Sequence, residues 1–585
     1  MNRRIPLWPL LAVFLALAAC AIPPEELVTP TAAPAVAAPT AAATAAATVA
    51  PTEEATAGDL PPAAFYDLGE STVIQHNFAS DSRFRQMPVR LNGVIAAPPP
   101  DGATHPVVVI LHGTHPGCPL DEAGVDRWPC DPAVEQRNYA GFEYLVRELA
   151  ARGYVALAPN INAEYTFGFG EPAPGERLSQ LLDQHLSALA GAAGSDTADF
   201  GVALGGVADM SRMVLIGHSQ GGEFANMLTR QLGLDAPDAL ANHGYGPVAG
   251  LLLVAPAVNI VGSTGGTLPL AVLLPACDGD VMGLDGQHFY EAVRFQDTGS
   301  WATTVYLEAA NHNGFNTILG SDMVSHQDRP DCQPLLAPEA QRSFLVDYAA
   351  DFLTAVFGDD AARAAALARL GVDPRQPAPA ALYGLPARVT SLPASADRRP
   401  IFTPSDAAGA ATADRATLFF CPPGYSVDAE LAPCRRPNFV MPGNPTMVVV
   451  SWSGPSEVAL TTPEAAADLS GFAALTLRAA VDPLSALNTA GAPQSFSVRL
   501  SDGGGATATV VVGPEEPALR YPAGAASEEG FFDNGSFSSP VHMTAIRLPL
   551  SAFAGVDLSD VAQVALVFDQ TPSGTLFLAD VEAAR

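Results

Sequence analysis

Nearly continuous apolar runs recur between residues 65 and 372, at 107–111, 154–158, 213–216, 251–254, 270–274 and 303–307. A strand that is apolar throughout has both faces buried, the signature of a mainly parallel sheet covered by helices. The stretches between them keep a helical period. Leu178, Leu181, Leu182, Leu186 and Leu189 fall on one face, and Phe344, Leu345, Tyr348, Phe352 and Val356 do the same before Gly358 ends the pattern. An α/β fold is expected for this block. From 405 to 585 the period drops to two: Phe496, Val498 and Leu500 alternate with polar residues, as do Ile546, Leu548 and Leu550, and 507–512 and 564–568 are short β-rich runs. Strands at that spacing predict an all-β sandwich. The Pro-rich stretch 373–404 reads as a linker between the two blocks.

Residues 20–64 follow neither period. They are Pro, Ala and Thr with a few acids, lack the large apolar residues that offset chain ordering, and read as an extended, solvated stalk. Pro30, Pro34, Pro39 and Pro51 oppose an Ala-rich helix. Before the stalk, Arg3 and Arg4 precede a mainly apolar run at 5–19, the layout of a secretion signal and too short for a typical membrane span. Leu17-Ala-Ala-Cys20 resembles a bacterial lipobox, which implies cleavage before Cys20, acylation there and a tether to a membrane's outer face. An ordinary signal peptide is the alternative; either way the protein is expected outside the cytoplasm.

Six cysteines remain in such an exported chain, an even number that predicts cystines. Loop closure and shared segments favour Cys118 with Cys130, Cys277 with Cys332, and Cys421 with Cys434. No Cys-x-x-Cys or His-x-x-x-His cluster points to zinc, so neither metal nor cofactor is expected. With 585 residues, 48% of them hydrophobic, about three to four domain-sized blocks are expected. The 61 acidic and 29 basic side chains leave a formal charge of -32, which repels phosphate backbones and excludes nucleic acid as a partner.

The chemistry gathers at strand ends. Val214-Leu-Ile-Gly217-His218-Ser219-Gln220-Gly221-Gly222 is a strand, a Gly-x-Ser-x-Gly turn and then a helix-compatible stretch. The sharp turn needs Gly217 and Gly221, which leave space that Cβ atoms would fill, and it presents Ser219 near a helix N-terminus. Here the chain resembles the α/β-hydrolase superfamily, and its GHSQGG and LHG segments are similar to secreted esterases, chlorophyllase-like enzymes and platelet-activating-factor acetylhydrolase-like enzymes. The resemblance spans about half the chain. It implies a Ser219 nucleophile and an oxyanion hole from the backbone N–H groups of Thr114, after His112-Gly113, and Gln220. It also implies an orienting carboxylate in Cys277-Asp278-Gly279-Asp280-Val281, where Asp280 is chosen over Asp278 because family members have Gly-x-x-Asp followed by Val or Pro. Cys277 departs from that pattern, and Glu308 is a third choice. His312, in a loop after a strand, is the expected general base, giving the family's chain order Ser, Asp, His. His112, His115 and His218 are read as pocket-lining residues, and 160–206, with Phe167-Gly-Phe-Gly, as part of an acyl pocket.

The C-terminal segments Leu550-Ser-Ala-Phe, Val556-Asp-Leu-Ser-Asp and Gly574-Thr-Leu-Phe-Leu-Ala-Asp580 are similar to jelly-roll modules of the carbohydrate- or galactose-binding type. Trp452, Tyr521, Phe531 and Phe532 read as core or edge aromatics, with stacking on sugar rings or polymer chains the alternative; Asp557, Asp560 and Asp580 read as a solvated acidic loop, with calcium binding the alternative. Two classes of function follow. The first is an anchored serine hydrolase acting on small or polymeric carboxylic esters, with an accessory domain contacting carbohydrate or envelope; a peptidase or lipid-mediator hydrolase is the variant on the same fold. The second is a non-catalytic surface-binding lipoprotein.

Overall fold

All six apolar runs lie at the centre of one sheet. The computed structural model describes residues 60–585 except 77–83, 123, 125, 127, 167–174, 196, 259–266, 295, 297–298, 327–328, 405–410, 422–433, 435–445 and 528–535. The expected signal segment, Cys20, nearly all of the stalk, Phe167 to Gly170, and Phe531 and Phe532 therefore lie outside the described residues. Among the described residues no helix is long and apolar enough to cross a membrane.

The first sheet contains β1 (Ala64–His76), β2 (Phe84–Ala96), β3 (His105–Leu111), β4 (Val155–Pro159), β5 (Ala208–His218), β6 (Val248–Val254), β7 (Leu270–Pro275), β8 (Ala302–Leu307), β9 (Ala381–Leu382) and β10 (Leu385–Leu392). Their order is β1-β2-β4-β3-β5-β6-β7-β8-β10-β9. Pairings from β4 through β3 to β8 are parallel, and those at both edges are antiparallel. Successive residues point to opposite faces, so β3 divides its side chains between two cores. Val107, Val109 and Leu111 pack with the leucine face of α2 (Glu176–Ala193). Val108 and Ile110 pack with α1 (Glu143–Ala151) and with Phe344, Leu345, Tyr348 and Phe352 of α6 (Pro338–Phe357). The other helices are α3 (Gln220–Gln231), α4 (Ala239–His243), α5 (Gln287–Arg294) and α7 (Asp360–Arg369).

The expected linker at 373–404 is not one: β10 pairs with β8 and extends the first sheet, and β11 (Arg398–Phe402) joins the second. That second sheet has nine antiparallel strands: β11, β12 (Ala411–Cys421), β13 (Met447–Thr461), β14 (Ala474–Val481), β15 (Phe496–Asp502), β16 (Thr507–Val512), β19 (Thr544–Pro549), β20 (Val561–Phe568) and β21 (Gly574–Ala584). The short strands β17 (Ala526–Ser527) and β18 (Ser536–Phe537) pair separately. The nine strands form one connected sheet that is nearly barrel-like. The long β13 makes this possible, because it pairs with β21 before Gly454, a residue with φ of 144°, and with β20 after it. The alternating Phe496, Val498 and Leu500 point into the core so enclosed.

The two sheets share a buried seam. Thr390 Oγ1 donates to the Met543 carbonyl at 2.7 Å, Thr304 Oγ1 and His542 Nε2 share a hydrogen bond of 3.0 Å, and Tyr306 stacks on His542. Arg547 reaches from β19 to the Gly371 carbonyl at 2.6 Å and Ser391 Oγ at 2.7 Å. The three cystines pair as expected, Cys118 with Cys130, Cys277 with Cys332 and Cys421 with Cys434.

Candidate active site

Ser219 occupies the turn between β5 and α3, with φ 57° and ψ −130°. A non-glycine residue at positive φ is strained, at a cost of roughly 1–3 kcal/mol. Neighbouring glycines make the turn possible. A Cβ on Gly217 would run into the Gly221 carbonyl and come within 2.5 Å of Gly222 Cα, and one on Gly221 would come within 2.5 Å of the Leu111 and His112 carbonyl oxygens. The Ser219 N–H donates to the Val254 carbonyl at 2.9 Å, which ties the turn to the next strand.

A Cβ on Gly113, of the His112-Gly113 segment, would stand 2.5 Å from Ser219 Cβ. The chain leaving β3 passes directly over the serine. The next residue, Thr114, meets Gln220 side chain to side chain, its hydroxyl donating to Gln220 Oε1. The two residues expected to supply oxyanion N–H groups are thus brought together, and Gln220 begins α3, whose first N–H groups have no acceptor within the helix.

The expected pairing of Asp280 with His312 is replaced by one with Asp278. His312 Nδ1 donates to Asp278 Oδ2 at 2.8 Å, and both side chains are buried. The reason lies in the turn after β7. Asp278 Oδ1 accepts the N–H groups of Asp280 (2.9 Å) and Val281 (2.6 Å), which closes a side-chain-capped turn and aims Oδ2 at the ring. Asp280, two residues on, has passed the ring and accepts the Met323 N–H at 2.6 Å. Glu308 pairs with Arg388 instead.

The loop of His312 is held by residues whose role the sequence did not signal. Asp322 Oδ2 accepts the N–H groups of His312 (2.8 Å) and Gly279 (2.9 Å), and its Oδ1 accepts from Asn313 N–H and Asn311 Nδ2, so one carboxylate ties the base loop to the acid turn. Gln341 of α6, fully buried, accepts the Asn311 N–H at 3.1 Å and donates to the Asn311 carbonyl at 2.6 Å.

Four histidines gather here, and their surroundings separate them. Burial pushes His112 down to about 3 and His115 to about 4, and it holds His218 well below the ordinary range. His112 and His218 brace the backbone. His112 Nδ1 donates to the Gly113 carbonyl at 2.9 Å and its Nε2 accepts the Ile161 N–H, while His218 Nε2 donates to the His312 carbonyl at 3.0 Å. His312 alone is raised: burial opposes its charged form, but the Asp278 charge and hydrogen bond, then Asp280 and Asp322, outweigh that. The rings of His218 and His312 lie 4.8 Å apart, so the base sits against the residue preceding Ser219. Among the described residues His312 Nε2 is buried without a hydrogen-bond partner, Ser219 Oγ included.

Any reaction in which His312 accepts a proton requires the neutral ring, so its rate falls as pH drops through the raised value. The acid limb of the pH–rate profile is expected above 6.5, the ring's ordinary value. A limb below it would show that the base is another group.

The candidate residues of the second sheet that lie among the described residues are used within the fold. Trp452 is a core residue, stacked on Phe568 at 4.3 Å with its Nε1–H on the Thr571 carbonyl. Tyr521 donates to the Pro483 carbonyl. Asp580 forms ion pairs with Arg294 and Arg478, and Asp557 caps its own turn through the Ser559 N–H and hydroxyl. Among the described residues one trio has metal-like spacing, Cys277, Asp331 and Cys332, and its sulfurs are joined as a cystine.

No protein-family profile matches this chain, and neither does any curated protein. Many solved structures are similar to parts of it, two of them as follows. A dienelactone hydrolase-like promiscuous phosphotriesterase from metagenomic libraries is 16% identical over 50% of this chain and 100% of its own, with a TM-score of 0.28. A family 11 carbohydrate-binding module from Clostridium thermocellum, in complex with a β-1,3-1,4-mixed-linked tetrasaccharide, is 9% identical over 32% of this chain and 95% of its own, with a TM-score of 0.21.

Proposed function

We propose that the protein is a serine hydrolase of α/β-hydrolase type that cleaves carboxylic esters through Ser219, His312 and Asp278. The observation that carries this reading is the strained Ser219 turn, built from glycines that leave no room for a Cβ, beside a buried His312–Asp278 pair. A purely structural scaffold has no use for that strain. His312 Nε2 takes the Ser219 hydroxyl proton as Oγ attacks the ester carbonyl, and the N–H groups of Thr114 and Gln220 meet the charge that develops on its oxygen. The tetrahedral intermediate collapses, the imidazolium returns its proton to the departing alcohol, and water resolves the acyl-enzyme by the same steps. Asp278 holds the Nδ1–H tautomer and stabilises the cation. The three cystines support export, and we place Cys20 as the acylated anchor of an extracytoplasmic enzyme.

The test is turnover of a chromogenic short-chain ester by the full chain, followed by treatment with a fluorophosphonate. Hydrolysis is expected to stop as one adduct forms, and peptide mapping is expected to place it on Ser219. An adduct on another residue, or no ester turnover by the folded chain, overturns the reading.

A further inference from the structure

Two loops bound to the acid and base carry exposed apolar side chains. Met323 is 82% exposed, Met282 52%, Val324 40% and Ile318 37%. Their backbones are cross-linked at the site: Val324 N–H donates to the Gly279 carbonyl at 3.1 Å, Met323 N–H to Asp280, and Asp322, between Ile318 and Met323, clamps both Gly279 and His312. Asp278 and Asp322 of these loops are used inward, on hydrogen bonds around His312. Met282, Ile318, Met323 and Val324 are left in water. Large aliphatic side chains gathered in this way mark a contact site for something apolar, and methionine suits one of variable shape.

The occupant can be narrowed by charge. The chain carries a formal charge of -32, and Asp280 and Asp322 lie within the rim itself. An anionic bilayer or fatty-acid film is repelled by such a surface, whereas an uncharged aliphatic phase is not.

Building on the hydrolase reading, we propose that Met282, Ile318, Met323 and Val324 form the subsite for the aliphatic part of an uncharged, water-insoluble ester, so that the enzyme works on an aggregated neutral substrate. The loops that seat the chain also position Asp278 and His312, which brings the ester carbonyl to Ser219 as the chain settles on the rim.

The test compares the full chain with Met282→Ser/Met323→Ser, using a short soluble chromogenic ester and an emulsified long-chain triacylglycerol. The ratio of long-chain to short-chain rates is expected to fall at least about tenfold in the double variant, the size of a lost hydrophobic subsite contact, and to return when both positions are leucine. Adsorption to the neutral emulsion, read by depletion after centrifugation, is expected to fall in parallel, and mixing an anionic lipid into the emulsion is expected to weaken binding of the unaltered chain. A rate ratio and adsorption that stay unchanged in the double variant overturn the subsite, as does binding strengthened by the anionic lipid. Failure of the unaltered chain to cleave the short ester counts against the hydrolase reading instead, and adsorption still decides whether the rim binds.

Discussion

Asp278→Asn is expected to lower kcat for ester hydrolysis by about 10⁴, the loss seen when a triad carboxylate becomes an amide elsewhere, while Asp280→Asn leaves it near the unaltered value. The argument rests on where each oxygen points. Asp278 uses Oδ1 on the N–H groups of Asp280 and Val281 and Oδ2 on His312 Nδ1. An amide at 278 has a single oxygen, and the turn's two N–H donors claim it. Its NH2 then faces Nδ1, which must become an acceptor and leaves the proton on Nε2, the nitrogen that has to take one from Ser219. The backbone has no reason to move, so the variant should fold. Asp280 accepts the Met323 N–H, a role asparagine keeps.

A second readout separates this role from mere packing. Without the charge at 278, burial becomes the dominant influence on the His312 ring, and the acid limb of any residual activity is expected to shift to lower pH. Equal losses in the two variants, or a loss confined to Asp280→Asn, would return the acid to its sequence-based assignment.

That choice marks the limit of what was legible in the chain. The strands β3 to β8 could be found because both their faces are buried, so every position is constrained. The serine turn was legible because glycines must stand at fixed offsets. Asp278 and Asp280 are separated by one turn whose hydrogen bonds alone decide which carboxylate reaches the ring, and no pattern of residue types encodes them. Asp322 and Gln341 are invisible for the same reason, since they act on backbone N–H and carbonyl groups of a distant loop. Strand β10 was hidden differently. It lies near the sheet's edge among prolines, its burial is mixed, and its register with β8 is set by neighbours far away in sequence. The stretch therefore looked like a linker, and the second sheet like a separable module.

Because it is not separable, Arg478→Ala is expected to destabilise the whole fold by about 3–5 kcal/mol, the cost of breaking a buried charge group by removing one partner. Arg478 on β14 donates to Glu291 at 2.8 and 3.2 Å and pairs with Asp580 on β21 at 3.2 Å; Arg294 on α5 pairs with the same two acids, with its Nε 2.7 Å from Asp580. Two arginines balance two carboxylates where the sheets meet, the arginine side chains only 2% and 7% exposed. Burial alone would raise Glu291, but Arg478 and Arg294 bring it down to about 2, so the pairing contributes stability above the carboxyl's ordinary 4.5 and loses it between 4.5 and about 2. Glu582, raised to about 7 by burial and by Asp580, acts with the opposite sign: the folded state holds its proton longer, so stability falls as pH rises from 4.5 to about 7. Urea unfolding of the unaltered chain should therefore show this seam strongest near pH 4.5. Removing Arg478 leaves one arginine for two buried carboxylates, and α5, which follows the turn of Asp278, loses one of its ties to the second sheet and keeps the Arg294–Asp580 pair. Arg478→Met combined with Glu291→Gln restores one cation to one anion and is expected to recover most of the loss. If Arg478→Ala unfolds at the same urea concentration as the unaltered chain, the network is a solvated surface group and the sheets are held by their apolar contacts alone.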